Sequence, residues 1–437
     1  MSNFNNIEYL NKIMKNLNFL QRLFQAYYKE NQNEIPRISS FTKREFGFIP
    51  WKSKPMMIRH LGFNDLNSLR SYFVKNAPRH AYSSGSLYVM PENSDMENKQ
   101  YIGCDLITDI DVDHFYTPCK DDHDIWLCKE CEASGKGMKE KCPHCGSLKL
   151  KNLNWICDEC LEIAKNEIRK LIFDFLIPDF GVNPEEMHIA FSGHRGYHLK
   201  VENEKIRTLN SEERREIVDY LTGHNISFEI LGLEKMGSNI YGFVRENVDW
   251  SKKIVKKLVF MLKTYTDDDW NYFLNKIGLN ANVIKSFIHS REDFLYTLTS
   301  EYHNLWSIEG FGLTNWKTFL RGVVDLIGVE LDEPVTIDIH RLIRYPGTLH
   351  GKTGFKVQEL SIEELDSYNP LNEPNDRLDP IVFESLKNMH KIKIIEKEVP
   401  QTKIKGETYG PYEQGEILEV PNHIAIFLLC KEVAILQ

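Results

Sequence analysis

The chain has 437 residues, with 54 Lys and Arg against 63 Asp and Glu, a formal charge of -9. That length allows two or three domains, and the acidic balance excludes bulk attraction to nucleic acid, so any such binding rests on a local basic surface. No apolar run approaches the roughly 18 residues of a membrane span, and a content of 42% hydrophobic and 27% charged residues is ordinary for a soluble globular protein.

From Ile7 to Glu30, apolar residues recur at Tyr9, Leu10, Ile13, Met14, Leu17, Leu20, Leu23 and Phe24. This spacing predicts an amphipathic helix packed on the core rather than a signal peptide. Strand-like pieces follow around Arg44-Glu45-Phe46-Gly47-Phe48, and Ser83-Ser84-Gly85-Ser86 reads as a turn before Leu87-Tyr88-Val89.

Asp105-Leu106-Ile107-Thr108-Asp109-Ile110-Asp111-Val112-Asp113 reads as a strand. Its period of two sets Leu106, Thr108, Ile110 and Val112 on one face and Asp109, Asp111 and Asp113 on the other. Carboxylates crowded on one face repel unless a cation neutralises them. Magnesium does this with one or two carboxylates plus substrate phosphates.

Seven of the nine cysteines fall between Cys119 and Cys160. Clustered Cys-x-x-Cys pairs in a long chain indicate zinc in a reducing compartment rather than a disulfide framework. Cys119, His123, Cys128, Cys131, Cys142, Cys145, Cys157 and Cys160 supply eight ligands, enough for two tetrahedral structural sites. One pairing closes a ribbon with Cys128, Cys131, Cys142 and Cys145 and leaves Cys119, His123, Cys157 and Cys160 to bracket it. The sequential alternative joins the first four ligands and the last four.

Leu161 to Ile177 predicts a helix and Met187 to Phe191 a buried strand. The turn Ser192-Gly193-His194-Arg195-Gly196-Tyr197-His198 then leads into a second strand. It offers backbone amides, imidazoles and a guanidinium to an anion. Asn210-x-x-Glu213 resembles a helix start, and helices are expected at residues 213–220, 250–263, 267–277 and 316–327. Trp270, Tyr272 and Phe273 read as core. Asp338 falls at an expected strand position, followed by Arg341, Arg344, His350 and Lys352. Gly347-x-x-x-Gly351-Lys352-Thr353 falls one residue short of a P-loop. Residues 358–437 read as peripheral elements and a tail.

Three of these stretches together resemble the motifs of the small catalytic subunit of archaeal and eukaryotic DNA primase. They are Asp109-Ile110-Asp111, Ser192 to His198, and Asp338 followed by Arg341-Leu342-Ile343-Arg344-x-Pro346-x-x-Leu349-His350-Gly351-Lys352-Thr353-Gly354. The lead-in Asp332 to Thr336 resembles the archaeal branch. Arg44 to Phe48 is similar to the family's N-terminal motif, and Cys157-x-x-Cys160 to its zinc pair. The resemblance implies an α+β fold, a mixed-sheet catalytic core with an inserted zinc-binding segment and a helical subdomain. The core comprises residues 1–118, 161–205 and 328–437, the last with the tail; the zinc segment is 119–160 and the helical subdomain 206–327.

The resemblance also implies roles. Asp109, Asp111 and Asp338 match the ligands of two magnesium or manganese ions, while Asp113 has no fixed counterpart. Ser192, His194, Arg195 and His198 match the motif that holds a triphosphate, and Arg344 and His350 match basic positions near that nucleotide. His194 stands where some relatives have arginine. The implied activity is synthesis of short RNA primers on single-stranded DNA, by two-metal nucleotidyl transfer, in a cytoplasmic heterodimer with a large primase subunit. Ribonucleoside triphosphates are the implied substrates, with deoxynucleotides left open. A repair or mobile-element primase-polymerase keeps the fold and changes the task. A non-catalytic zinc-ribbon nucleic-acid-binding protein explains the cysteines and leaves the ordered Asp, His and Arg motifs unused.

Overall fold

The apolar face near the N-terminus belongs to one helix, Ser2–Glu30, in the computed structural model. The structure describes residues 2–243, 249–300, 304–385 and 387–437, with side chains of this helix from Lys12 onward. Tyr9 and Leu10 thus lie outside the described side chains. Leu17, Leu20, Phe24, Tyr27 and Tyr28 are buried. The two tyrosines also reach the third motif. Tyr27 Oη donates to the Gly347 carbonyl at 2.9 Å, and Tyr28 Oη accepts from the Leu349 amide at 3.1 Å.

The chain forms two units, residues 1–215 with 331–437, and residues 216–330. The first contains two four-stranded sheets. One runs in the order Leu342–Arg344, His80–Ser84, Phe46–Ile49, Ile58–Leu61; the other runs Gln358–Leu360, Met187–Phe191, Gly196–Val201, Leu106–Asp111. The α+β class stands, but every strand pairing in these two sheets is antiparallel rather than mixed. Residues 83–86 are not a simple turn: the strand His80–Ser84 ends and the chain crosses at Gly85 to Ser86–Tyr88, which pairs with Tyr101–Cys104.

Arg44 ties the first sheet to the lead-in of the aspartate strand. Its fully buried guanidinium donates to Asp105 Oδ2 at 2.6 Å and to the Ser84 carbonyl at 2.8 Å. Such a charge is tolerable inside a protein only because it is paired and hydrogen-bonded. Glu45 similarly holds Lys99 Nζ at 2.6 Å and Arg59 Nε at 2.9 Å.

The C-terminal region is not a peripheral tail. Met389–Ile394 pairs with Ile417–Pro421 and with Ala434–Leu436, and all nine residues of the helix Asn422–Cys430 are buried. A helix apolar on every face carries no amphipathic period, so its sequence reads only as a short greasy run.

The second unit packs aromatic side chains between the helices Trp250–Thr264, Asp267–Lys276, Ala281–Thr299 and Leu313–Ile327. Phe287 lies 4.9 Å from both Trp270 and Phe319, ring centre to ring centre. Trp270 and Phe273 are core, but Tyr272 is exposed. Thr266 and Asp269 form a capping box at the second of these helices. No helix among the described residues is long and apolar enough to cross a membrane.

Candidate active site

Strand pairing builds the centre of the site. The aspartate strand Leu106–Asp111 runs antiparallel to Gly196–Val201, which sets His198 opposite Asp109 and Gly196 opposite Asp111. His198 Nε2 lies 3.3 Å from Asp109 Oδ1. Two glycines make the approach feasible. A Cβ on Gly196 would stand 2.1 Å from the Ile110 carbonyl oxygen, and one on Gly193, at φ +81°, would stand 2.7 Å from His350 Cβ.

Asp109 Oδ1 is buried and makes no hydrogen bond. Burial opposes ionisation of this carboxyl, yet the charges of His198 and Arg344 outweigh it and hold the pKa below the ordinary value. Asp111 goes the other way: burial, then repulsion from Asp113 and Asp109, pushes it up to about 6. A buried carboxylate oxygen with an ion-pair contact but no hydrogen bond, beside a carboxyl that resists ionisation, fits a divalent cation.

The strand ends at Asp111. Val112–His114 is a 3-10 turn, so Asp113 leaves the expected strand face, and its amide donates to Asp111 Oδ1 at 2.9 Å. Asp338 is not on a strand either. It follows the short helix Glu333–Ile337, which packs against the aspartate strand, and the Asp332 amide donates to the Asp109 carbonyl at 2.9 Å. The Asp338 side chain is exposed and accepts from the His340 amide at 2.8 Å. Among the described residues no cluster of ligand atoms within 4.8 Å joins it to Asp109 and Asp111; such a cluster instead contains Asp111, Asp113 and His194. Asp338 caps its own turn.

The Arg195 guanidinium is fully buried among protein partners. Nε donates to Asp113 Oδ1 at 2.7 Å, and Nη1 to Asp124 Oδ1 and Oδ2 at 2.8 and 2.9 Å and to the Trp155 carbonyl at 2.8 Å. Asn154 Nδ2 completes the arrangement on Asp113 at 2.8 Å. Replacing Arg195 by Met removes the cation that pairs half-buried Asp113 and buried Asp124, and the expected cost is about 3 kcal/mol in a urea titration. A guanidinium that served only a nucleotide would leave stability intact and alter nucleotide affinity.

Around the glycine turn, imidazoles and cations gather. His194 stacks on His350 with centres 5.2 Å apart and planes at 11°, and His350 meets His80 edge-on at 4.9 Å. Burial drives all three imidazoles well below their ordinary pKa, and neighbouring cations drive them further. His80 Nδ1 accepts from Arg344 Nη1 at 2.9 Å and from the Gly351 amide at 3.2 Å. Lys431 Nζ meets His194 Nε2 at 2.8 Å, and burial pulls that ammonium down to about 7. Ser192 is buried, and its Oγ accepts from the His194 amide at 3.3 Å. Lys352 is exposed. Neutral imidazoles flanked by Arg344, Lys352 and Lys431 make a receptor for anions. Sequence reasoning missed Asp124, His80 and Lys431. Asp124 is adjacent to a zinc-ligand candidate, a signal for a partner of that histidine; the other two stand in no motif.

The cysteines form two groups of ligand atoms, Cys119, His123, Cys157 and Cys160, and Cys128, Cys131, Cys142 and Cys145. The structure therefore brings together the bracketing set, not the sequential one. In the inner group the Cys119 and Cys160 sulfurs lie 3.2 Å apart, and His123 Nε2 lies 3.2 Å from Cys157 Sγ and 3.5 Å from Cys160 Sγ. His123 Nδ1 bonds Asp124 Oδ1 at 2.8 Å, which turns Nε2 toward the sulfurs. That is how zinc-binding histidines are oriented. Cys157 also caps the helix Asp158–Lys170. The outer group closes a ribbon of three short strands, Ile125–Cys128, Ser134–Lys136 and Leu150–Leu153, with sulfur separations of 3.6 Å for Cys128–Cys145 and Cys131–Cys142. Backbone amides of Cys131 and Glu130 pull the Cys128 thiol down to about 7, toward the thiolate that binds metal. Both donor sets fit tetrahedral zinc.

Residues 149–362 match the family model described as DNA primase small subunit. Curated relatives named DNA primase small subunit include one from Methanocella arvoryzae, 30% identical over 94% of this chain and 96% of its own length. One from Archaeoglobus fulgidus is 31% identical over the same shares. One from Nitrosopumilus maritimus is 27% identical, covering 96% of this chain and 98% of the relative.

Proposed function

The chain belongs to the DNA primase small subunit family, a nucleotidyltransferase family that makes RNA primers, and from that we propose that it extends short primers on single-stranded DNA at Asp109 and Asp111. The observation that carries this reading is the pair of carboxylates on one strand, one with a buried oxygen that lacks a hydrogen bond, beside His198, Arg344 and His350. We place the family's replicative partner, a large primase subunit, in the same proposal, with ribonucleoside triphosphates as substrates.

Asp109, Asp111 and Asp338 would hold two magnesium or manganese ions, which when bound lower the pKa of the attacking 3′-hydroxyl and neutralise the departing pyrophosphate. Asp338 sits on a turn after a helix already packed on the aspartate strand, so a cation could draw its carboxylate in. The 3′-oxygen bonds to the α-phosphorus as the bond to the β-phosphate bridge breaks. His198 fixes the Asp109 carboxylate, and Arg344 and Lys352 oppose triphosphate charge. Ser192, His194 and His350 shape the pocket wall, and Arg195 anchors the floor through Asp113. Zinc ions held by the two cysteine groups would have four protein donors each and serve structure.

Initiation tests the assignment. With single-stranded DNA, ribonucleoside triphosphates and magnesium or manganese, but no primer, the protein with its large subunit should form dinucleotides and short RNA. Extension of supplied primers alone, with no product from free nucleotides, would move the chain to the repair or mobile-element class.

A further inference from the structure

We propose that Lys431 is a positioning residue of the nucleotide site: it holds the His194 imidazole as a neutral Nδ1–H tautomer, ready to donate to a triphosphate oxygen. The inference rests on the preceding reading for the identity of that anion.

Lys431 follows the buried helix Asn422–Cys430, far in sequence from every motif. Its Nζ bonds His194 Nε2 at 2.8 Å and the Asn154 carbonyl at 2.7 Å. The stem lies against aromatic rings, with Nζ 5.8 Å from the Trp155 ring centre and 5.7 Å from that of Phe427. Burial and the charge of Arg195 disfavour its ionisation, and Asp113 and Asp124 favour it. A buried ammonium is costly unless hydrogen-bonded, and here it has two acceptors, one of them an imidazole of the site.

Below about pH 7, where the Lys431 amine is protonated, the direction of that bond is fixed. A lysine ammonium has three donors and no acceptor. The ring nitrogen at 2.8 Å must therefore present its lone pair, so Nε2 carries no proton and a neutral ring carries it on Nδ1. The ring plane is held by its stack on His350, with planes 11° apart, at a turn where the His194 amide donates to Ser192 Oγ. One His194 nitrogen also lies within 4.8 Å of carboxylate oxygens of Asp111 and Asp113, beside the acid assigned to the reaction. The C-terminal segment, outside all three motifs, thus completes the nucleotide site.

Two readouts test this on the full chain. In histidine-labelled protein, nitrogen NMR of His194, assigned by loss of its signals in His194→Gln, should report the Nδ1–H form; in Lys431→Met it should shift toward the Nε2–H form. Lys431→Met should also raise KM for the ribonucleoside triphosphate about 10-fold while kcat falls less than threefold, the size expected for a hydrogen bond to a charged group. Lys431→Gln, which keeps one donor, should recover part of both effects. An Nε2–H tautomer in the wild type overturns the inference, as does a Lys431→Met protein with wild-type KM and tautomer. The wild-type spectrum decides even where Lys431→Met fails to fold. Wild-type protein without nucleotide incorporation would sink the polymerase reading and leave the tautomer result standing.

Discussion

Changing Asp109 and Asp111 together to alanine should reduce nucleotide incorporation on single-stranded DNA by at least about 10⁴-fold, while the protein keeps both zinc groups and its fold. Charge stabilisation by positioned groups supplies most of what such a reaction receives from the protein, and one lost contributor costs about 3–4 kcal/mol. Losing both carboxylates removes the cation site altogether. A purely structural role predicts a fall in melting temperature, and the geometry here predicts the reverse for one member. Burial and the charges of Asp113 and Asp109 raise Asp111 to about 6. A carboxyl whose folded pKa is raised destabilises the fold once it ionises, so the penalty grows as pH climbs through the carboxylate range and is complete above about 6. With chelator present at neutral pH, Asp111→Asn should therefore melt higher, by roughly 1–2 kcal/mol, while incorporation collapses. Full incorporation by the double variant, or a destabilised Asp111→Asn, would remove Asp111 from the chemistry.

The parts of this site legible in the sequence are those whose signal is local. Asp109 and Asp111 share a strand face because side chains alternate, and the cysteine pairs announce their ligands by spacing. The glycine turn is legible because Gly193 and Gly196 admit backbone contacts that a Cβ would block. What stayed hidden depends on partners distant in the chain. A sequence does not reveal that the Arg195 guanidinium pairs with Asp124, 71 residues upstream. The position of Asp338 fails for a different reason: Pro334 begins a short helix where alternation reads as strand. The helix Ala281–Thr299 escaped because Arg291, Glu292 and Asp293 interrupt its apolar face between Phe287 and Phe294. Lys431 meets His194 from the end of a buried helix with no polar face to mark it.

The inner and outer cysteine groups predict opposite consequences for variants of the same kind. The outer group lies on a ribbon whose buried cluster is small, Trp126, Cys128 and Cys142 with Ala133 and Leu150 against it. Cys131→Ser should release one zinc per chain and loosen that ribbon, with the melting of the rest within about 1 kcal/mol of wild type, as for a change at a separate site. The inner group reaches Asp111 through an unbroken set of contacts. His123 bonds Asp124, Asp124 bonds the buried Arg195, Arg195 bonds Asp113, and the Asp113 amide bonds Asp111. Cys160→Ser should also release one zinc, but structural zinc contributes on the order of 10 kcal/mol to small domains, comparable to the whole stability of a typical fold. The core should then melt cooperatively at a much lower temperature, and incorporation should fall with it. Asp124→Asn separates stability from positioning. It spares all four ligands but weakens the partner that orients His123 and clamps Arg195, and loss of such a partner costs about 10–100-fold in metal affinity or activity. Zinc analysis, thermal melting and incorporation measured on the three variants decide the matter. Equal losses for Cys131→Ser and Cys160→Ser, or an Asp124→Asn protein with wild-type zinc affinity and activity, would mean that the inner group holds the chain together without reaching Asp111.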